Sequence, residues 1–264
     1  MLIAGFLVAI AASLSAQWLH YPTAGVPRLA NGQPNLSAPV PRTADGKPDF
    51  SGTWGADTQG AADEFGGPAV QRTLQFRDIG AGLKESLPYQ PWAKELRNKR
   101  AADKAKDNPD VRCLPLGILQ MHTHPFPRRI VQAPGFIAIL HERDMEYRQI
   151  FTDGRPVLKD PSPSWNGYST GTWEGDTLVV QTNGFRDGLW ADYDGSPMTD
   201  AAKMTERFRR PSFGKLEIEV TVDDPKAYTK PWTITLHQHI VLDQDLLEYV
   251  CLEGERDLTH MVGK

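Results

Sequence analysis

The stretch KLEIEVTV, residues 215–222, alternates without a break: Leu216, Ile218, Val220 and Val222 share one face, and Glu217, Glu219 and Thr221 the other. Successive side chains of an extended chain point to opposite sides, so the segment reads as an antiparallel strand with one buried and one wet face. Its surroundings repeat the signal. Lys203 to Arg209 precedes it across a turn at Phe213-Gly214, and Trp232 to Leu242 with Leu246 to Leu252 forms an expected final pair. Upstream, Arg129 to Gln132 and Phe136 to Glu142 flank Pro134-Gly135, and Met145 to Phe151 stops at Asp153-Gly154. Ser169 to Trp173 turns at Glu174-Gly175-Asp176 into Thr177 to Thr182. Short strands joined by turn residues predict a mainly β fold, an antiparallel barrel or sandwich.

One or two peripheral helices are expected, one of them over Pro91 to Lys106, opened by a proline that fits a first helical turn and stopped by Asn108-Pro109. Its apolar stripe, Trp92 and Leu96, is narrow and predicts a mostly solvated element. Ahead of the strands one phrase is stated twice, VPRLANGQPNLSAP (26–39) and VPRTADGKPDFSGT (40–53). The prolines fix φ, and Asn31-Gly32 and Asp45-Gly46 are turn dipeptides, so each copy reads as an extended arm, a tight turn and a second arm. The pair predicts a Pro/Gly-rich strap over residues 17–48, feeding through Phe50 and Trp54 into a single β-rich domain over 49–264.

With 264 residues, 40% of them hydrophobic, the chain is long enough for one substantial core. The net charge is −4, and the one basic run, Arg97 to Lys106, is broken by alanine and aspartate, which argues against nucleic acid as a partner. The first residues form an apolar run ending in small side chains, the pattern of a secretory signal over 1–16 and too short to span a bilayer. A periplasmic or secreted protein with no stable membrane span after cleavage is therefore expected. In such a compartment the two cysteines, Cys113 and Cys251, are expected to be bridged. No feature signals an oligomeric state.

The segments PDFSGTW (48–54), IFTDGR (150–155), WEGDTLVV (173–180), TERFRR (205–210) and DPKAYTKPW (224–232) resemble an uncharacterised family of exported bacterial β-rich proteins. The likeness spans nearly all of the mature chain, implies export and a β fold, and supplies no catalytic residues. Gly52-Thr53-Trp54 is also similar to the Gly-x-Trp that opens lipocalin-like barrels, which implies a ligand-holding barrel as one form of that fold.

Glu206 is the most informative candidate for chemistry. It lies between Met204 and Phe208 on an apolar face, where a carboxylate must be paired or protonated. That setting suits an acid/base catalyst, and equally a structural pair with an arginine. With Asp153 as a second proton-transfer candidate and Arg155 and Arg207 to hold a developing anion, the chain reads as a metal-independent hydrolase or lyase. A pocket for a small aromatic or sugar-like molecule is expected from Trp165, Tyr168, Asp187, Trp190 and Asp192. The same pocket without chemistry would make a lipocalin-like carrier, and an exposed strap would make a docking arm. His122-Thr-His124 and His237-Gln-His239 each place two imidazoles on one side if they lie in strands. Were the pairs to meet, they would suit zinc or copper; otherwise no cofactor is expected and these histidines, like His141 and His260, face solvent. No serine elbow, phosphate loop or dinucleotide fingerprint is present.

Overall fold

In the computed structural model, which describes residues 21–57 and 73–253, most of the expected strands form. They are β1 (Gly52–Ala56), β2 (Arg128–Ala133), β3 (Phe136–His141), β4 (Tyr147–Phe151), β5 (Tyr168–Glu174) and β6 (Thr177–Asn183). A two-residue pair, β7 (Leu189–Trp190) and β8 (Pro197–Met198), precedes β9 (Lys203–Ser212), β10 (Lys215–Asp223) and β11 (Trp232–Val241). The strands close into a barrel in the order β1-β11-β10-β9-β6-β5-β4-β3-β2, with β2 returning to β1. The inward face carries Trp54, Ile139, Ile150, Val180, Phe208, Ile218 and Leu236, all buried. Burying one such large apolar side chain stabilises a fold by about 1.5–3 kcal/mol, so this alternation of faces fixes the register.

Two expectations about the sheet need correction. The barrel is not wholly antiparallel: β4 and β5 run parallel, pairing only Ile150 with Ser169 and Phe151 with Thr170. The chain leaves β4 at Phe151 and travels through residues 152–167 before β5, the crossover that a parallel pair requires. The expected last strand, Leu246 to Leu252, does not form. Because β11 pairs with both β10 and β1, it leaves no edge for a further strand. This tail instead runs along the outside, where the Leu247 N–H bonds Glu142 Oε2 at 2.9 Å and Cys251 is bridged to Cys113.

The repeated phrase is repeated structure. In each copy the arms meet in one bridge, Arg28 with Pro34 and Arg42 with Pro48. Arg28 Nη1 donates to the Gly32 carbonyl and Arg42 Nη1 to the Gly46 carbonyl, each at 2.8 Å. Gly32 and Gly46 both take positive φ, 82° and 79°, the reason each turn carries glycine. The strap covers the barrel end that holds the β9–β10 turn: the Phe213 and Gly214 N–H groups bond the Ala38 and Leu36 carbonyls at 2.9 and 2.8 Å. Phe50 then enters the barrel mouth, stacked on Trp173 at 5.4 Å, and Trp54 Nε1 bonds its carbonyl at 2.9 Å.

The opposite end is closed by α1 (Leu74–Arg77), α2 (Pro91–Ala102), α3 (Ile118–Thr123) and the β7–β8 pair. Pro91 opens α2 as expected, but the helix ends at Ala102 because Lys104 and Ala105 turn to positive φ and bury Ala105. Trp92 is exposed and Ala93 takes the inner side, so the expected stripe is displaced by one residue. The helix α3 is buried along its whole length and was not expected. Among the described residues no helix is long and apolar enough to cross a membrane. The signal segment, the first residues of the strap and His260 lie outside the described residues.

Candidate functional site

Several inward strand positions carry polar groups instead of apolar ones, and four of them meet: Arg148 on β4, Ser169 on β5, Thr182 on β6 and Glu206 on β9. Arg148 Nη1 donates to Glu206 Oε1 at 2.9 Å while its Nη2 bonds Glu206 Oε2, a bidentate fork. The same Nη2 reaches Thr182 Oγ1 at 3.0 Å and Ser169 Oγ at 3.1 Å. From α3, His122 Nε2 approaches Glu206 Oε1 at 2.8 Å. Burial alone would push the Glu206 carboxyl up, but the Arg148 guanidinium and the His122 bond outweigh it and hold it at about 2. Burial in turn lowers the affinity of His122 for a proton, against the pull of Glu206. Of the two settings open to Glu206, the geometry is that of a pair with an arginine. That arginine is Arg148 and not Arg207, which faces outward and bonds Glu174 at 2.7 Å.

The outer side of the β4–β5 seam is different. Two short parallel strands paired at two positions leave a cleft of about 400 Å³ between them, walled by Tyr147, Phe151, Trp165 and Tyr168. Glu146 and Asn166 are among its polar groups, with Gln149, Ser164 and Ser169, and Met145 and Pro115 close the side. Asn166 Nδ2 donates to Glu146 Oε1 at 2.9 Å and to the Tyr147 carbonyl at 3.2 Å, while its own Oδ1 is buried without a partner. Burial pushes the Glu146 carboxyl up to about 7, although bonds from Asn166 and from the Leu116 backbone pull it down. Among the described residues no cation accompanies it. A carboxyl poised near neutrality beside aromatic faces and an amide is equipped to give or take a proton. Ser169 lines this cleft and also bonds Arg148, so the buried pair lies directly behind the cleft wall.

The expected site residues separate in space. Trp165 and Tyr168 do line the cleft; the Arg186 guanidinium covers the outer Trp165 ring at 4.2 Å, and Tyr168 stacks on Phe151 at 5.5 Å. Asp153 and Arg155 pair with each other at 2.6 Å on the exposed hairpin tip, with the Arg155 guanidinium 3.9 Å over Phe151. That partner holds the Asp153 carboxyl below its usual range. Asp187 is exposed. Trp190 is buried beneath the Arg100 guanidinium at 4.2 Å, and Asp192 is a buried loop anchor that accepts from the Ile79, Gly195 and Ser196 N–H groups. The pocket expected from all five ligand residues is therefore not one pocket, because Trp190 and Asp192 are consumed in packing the helical end.

The histidine pairs also part. His122 and His124 are not on a strand: His122 lies in the last turn of α3 inside the barrel, and His124 caps that helix and stacks on Phe126 at 5.1 Å. His237 and His239 share the outer face of β11, as a strand dictates, with the barrel wall between them and His122. His122, His124 and His141 are buried rather than facing solvent. Among the described residues no group of three or more histidine, cysteine or acidic side chains is placed to hold a metal ion. A second groove of about 350 Å³ crosses the outer face of β11 past Thr235 and His237, with Asp57 and Thr73 also in its lining. Comparison of the chain with family models, with curated proteins and with solved structures found no match.

Proposed function

We propose that this is an exported protein that takes a small aromatic or sugar-like molecule into the β4–β5 seam cleft and acts on it by metal-independent acid/base chemistry, as a hydrolase or lyase. Glu146, rather than Glu206 or Asp153, is the proton-transferring group. The observation that carries this reading is a half-buried carboxyl at about 7, oriented by Asn166 in a cleft walled by Trp165 and Tyr168. Protonated, Glu146 can give its proton to a leaving oxygen; ionised, it can take one from water or from an activated C–H. The aromatic walls hold a flat substrate face and exclude water from the transfer. The bridge between Cys113 and Cys251, 138 residues apart, supports export, since such bridges persist in oxidising compartments.

The test is a turnover screen of the oxidised full chain against nitrophenyl esters, nitrophenyl glycosides and unsaturated sugar acids, with and without chelator. Binding is read in parallel from Trp165 fluorescence. Glu146→Gln keeps shape and removes the titrating proton, so turnover should fall about 10²- to 10⁴-fold while binding persists. The aromatic walls alone favour a second reading, a carrier without chemistry. Saturable binding by both proteins, with no turnover by either, would establish the carrier instead.

A further inference from the structure

The barrel encloses a second guanidinium that has no counter-charge among the described residues. Arg128, on the inner face of β2, is 1% exposed. Its Nε donates to Gln238 Oε1 at 3.0 Å and its Nη1 to the Met121 carbonyl at 2.9 Å, while its Nη2 finds no acceptor. Gln238, 0% exposed on β11, leaves its Nε2 without an acceptor, and His122 leaves its Nδ1 without a partner. The Arg128 and Gln238 orphans belong to side chains that bond each other, and α3 ties His122 to the same region. The Gln238 amide nitrogen shares a carboxamide with the oxygen that binds Arg128, and Met121, which also binds Arg128, precedes His122 in α3.

The charges around them do not balance. Arg128 faces Trp54 across β1 and His141 across β3, neither of them acidic. Among the described residues the one carboxylate of this interior cluster, Glu206, is engaged by Arg148 and His122. Burial keeps His141 uncharged and lowers the affinity of His122 for a proton. Burial also lowers Arg128, to about 9, which leaves it charged at neutral pH. Buried donors are almost always bonded and buried charges almost always compensated, and here three polar atoms and one positive charge lack both.

We propose that the barrel interior binds one small monovalent anion, of halide, formate or acetate size, held by Arg128 Nη2 and Gln238 Nε2. This site is separate from the seam cleft and does not depend on the function assigned there. His122 sets its third contact. Because Nε2 points its hydrogen at the Glu206 carboxylate, Nδ1 is an acceptor and takes a hydrogen bond from a water or hydroxyl that enters with the anion.

The experiment is thermal unfolding of the oxidised full chain in sodium chloride, bromide, formate and sulfate at equal ionic strength, beside diffraction from bromide-soaked crystals. A monovalent anion should raise the melting temperature saturably, by about 5–10 °C at a hundredfold excess over its dissociation constant, and sulfate should not. One anomalous bromide peak is expected within about 3.5 Å of Arg128 Nη2. Arg128→Met, which removes the buried charge for an apolar side chain of similar length, should abolish the anion dependence. Should that variant fail to fold, the bromide peak in the unaltered protein decides. A melting temperature that follows ionic strength alone, together with no bromide at Arg128, overturns the proposal.

Discussion

The Glu206 cluster inside the barrel and the Glu146 cleft on its outside each hold a carboxylate away from water, and the two are driven in opposite directions. Glu206 meets a bidentate guanidinium and falls to about 2; Glu146, bonded by an amide and a backbone N–H and near the Asp144 carboxylate, rises to about 7. Desolvation acts on both and favours the neutral acid. What separates them is whether a cation came inside with the carboxylate. Burial by itself therefore does not mark a proton-transfer group, and the buried residue with the stronger partner is the one committed to structure.

The largest expected effect breaks the interior pair. Arg148→Met strips the buried Glu206 of its guanidinium and leaves it the His122 bond, and losses of about 3–5 kcal/mol are typical of breaking a buried pair from one side. Chemical denaturation of the oxidised protein reads it. Arg148→Met combined with Glu206→Leu should recover much of the loss, because neither charge of the pair remains. If the double variant is as unstable as the single one, the pair does more than neutralise itself.

The next effect is in acid. His141 is buried on the inner face and its affinity for a proton is well below the ordinary 6.5, through burial first and then the nearby Arg128. Below that value the unfolded chain takes up a proton that the folded chain refuses, so stability is full above about 6.5 and falls as pH decreases, by up to about 1.4 kcal/mol per pH unit. Glu206 has the same sign in a lower window: its contribution is present above its unfolded value of 4.5 and is lost as pH drops through about 2. Glu146 has the opposite sign, because its raised carboxyl keeps a proton in the folded state that the unfolded chain releases between 4.5 and about 7. Melting temperatures of His141→Phe and Glu146→Gln against pH should separate these limbs: the first flattens the decline that begins near 6.5, and the second removes an opposing slope.

A smaller change sharpens the cleft side. Asn166→Ala removes a hydrogen bond that lowers Glu146, so the carboxyl should titrate higher still and any activity profile should move toward alkaline pH. A shift toward acid would mean that water replaces the amide and solvates the carboxylate better than Asn166 does.

Much of the barrel was legible in the sequence because alternation is a local signal: KLEIEVTV, PGFIAILH and WEGDTLVV carry both face and turn in their own residues. The strap was legible for the same reason, since proline and Asn-Gly or Asp-Gly act within a few residues. What stayed hidden depends on chain return. The parallel β4–β5 seam needs residues 152–167 to cross over, and Glu146 becomes a candidate only once Trp165 and Asn166 come back to it. Arg148 stood in plain view on the same face as Ile150, the counterpart of Glu206 beside Phe208, but pairing them needs the strand order. The α3 segment misled because His122-Thr-His124 reads as a strand pair, whereas Ile118 to Thr123 gains more by burying every side chain as one helical turn and a half.

The most direct test is a carboxyl-carbon NMR titration of the oxidised full chain, with Glu146 and Glu206 assigned through their glutamine variants. The account predicts a Glu146 midpoint near 7 and a Glu206 signal that stays ionised down to at least pH 3 or to unfolding, whichever comes first. A Glu206 midpoint near neutrality, with Glu146 titrating at an ordinary 4.5, would contradict it and return the proton-transfer role to the barrel interior.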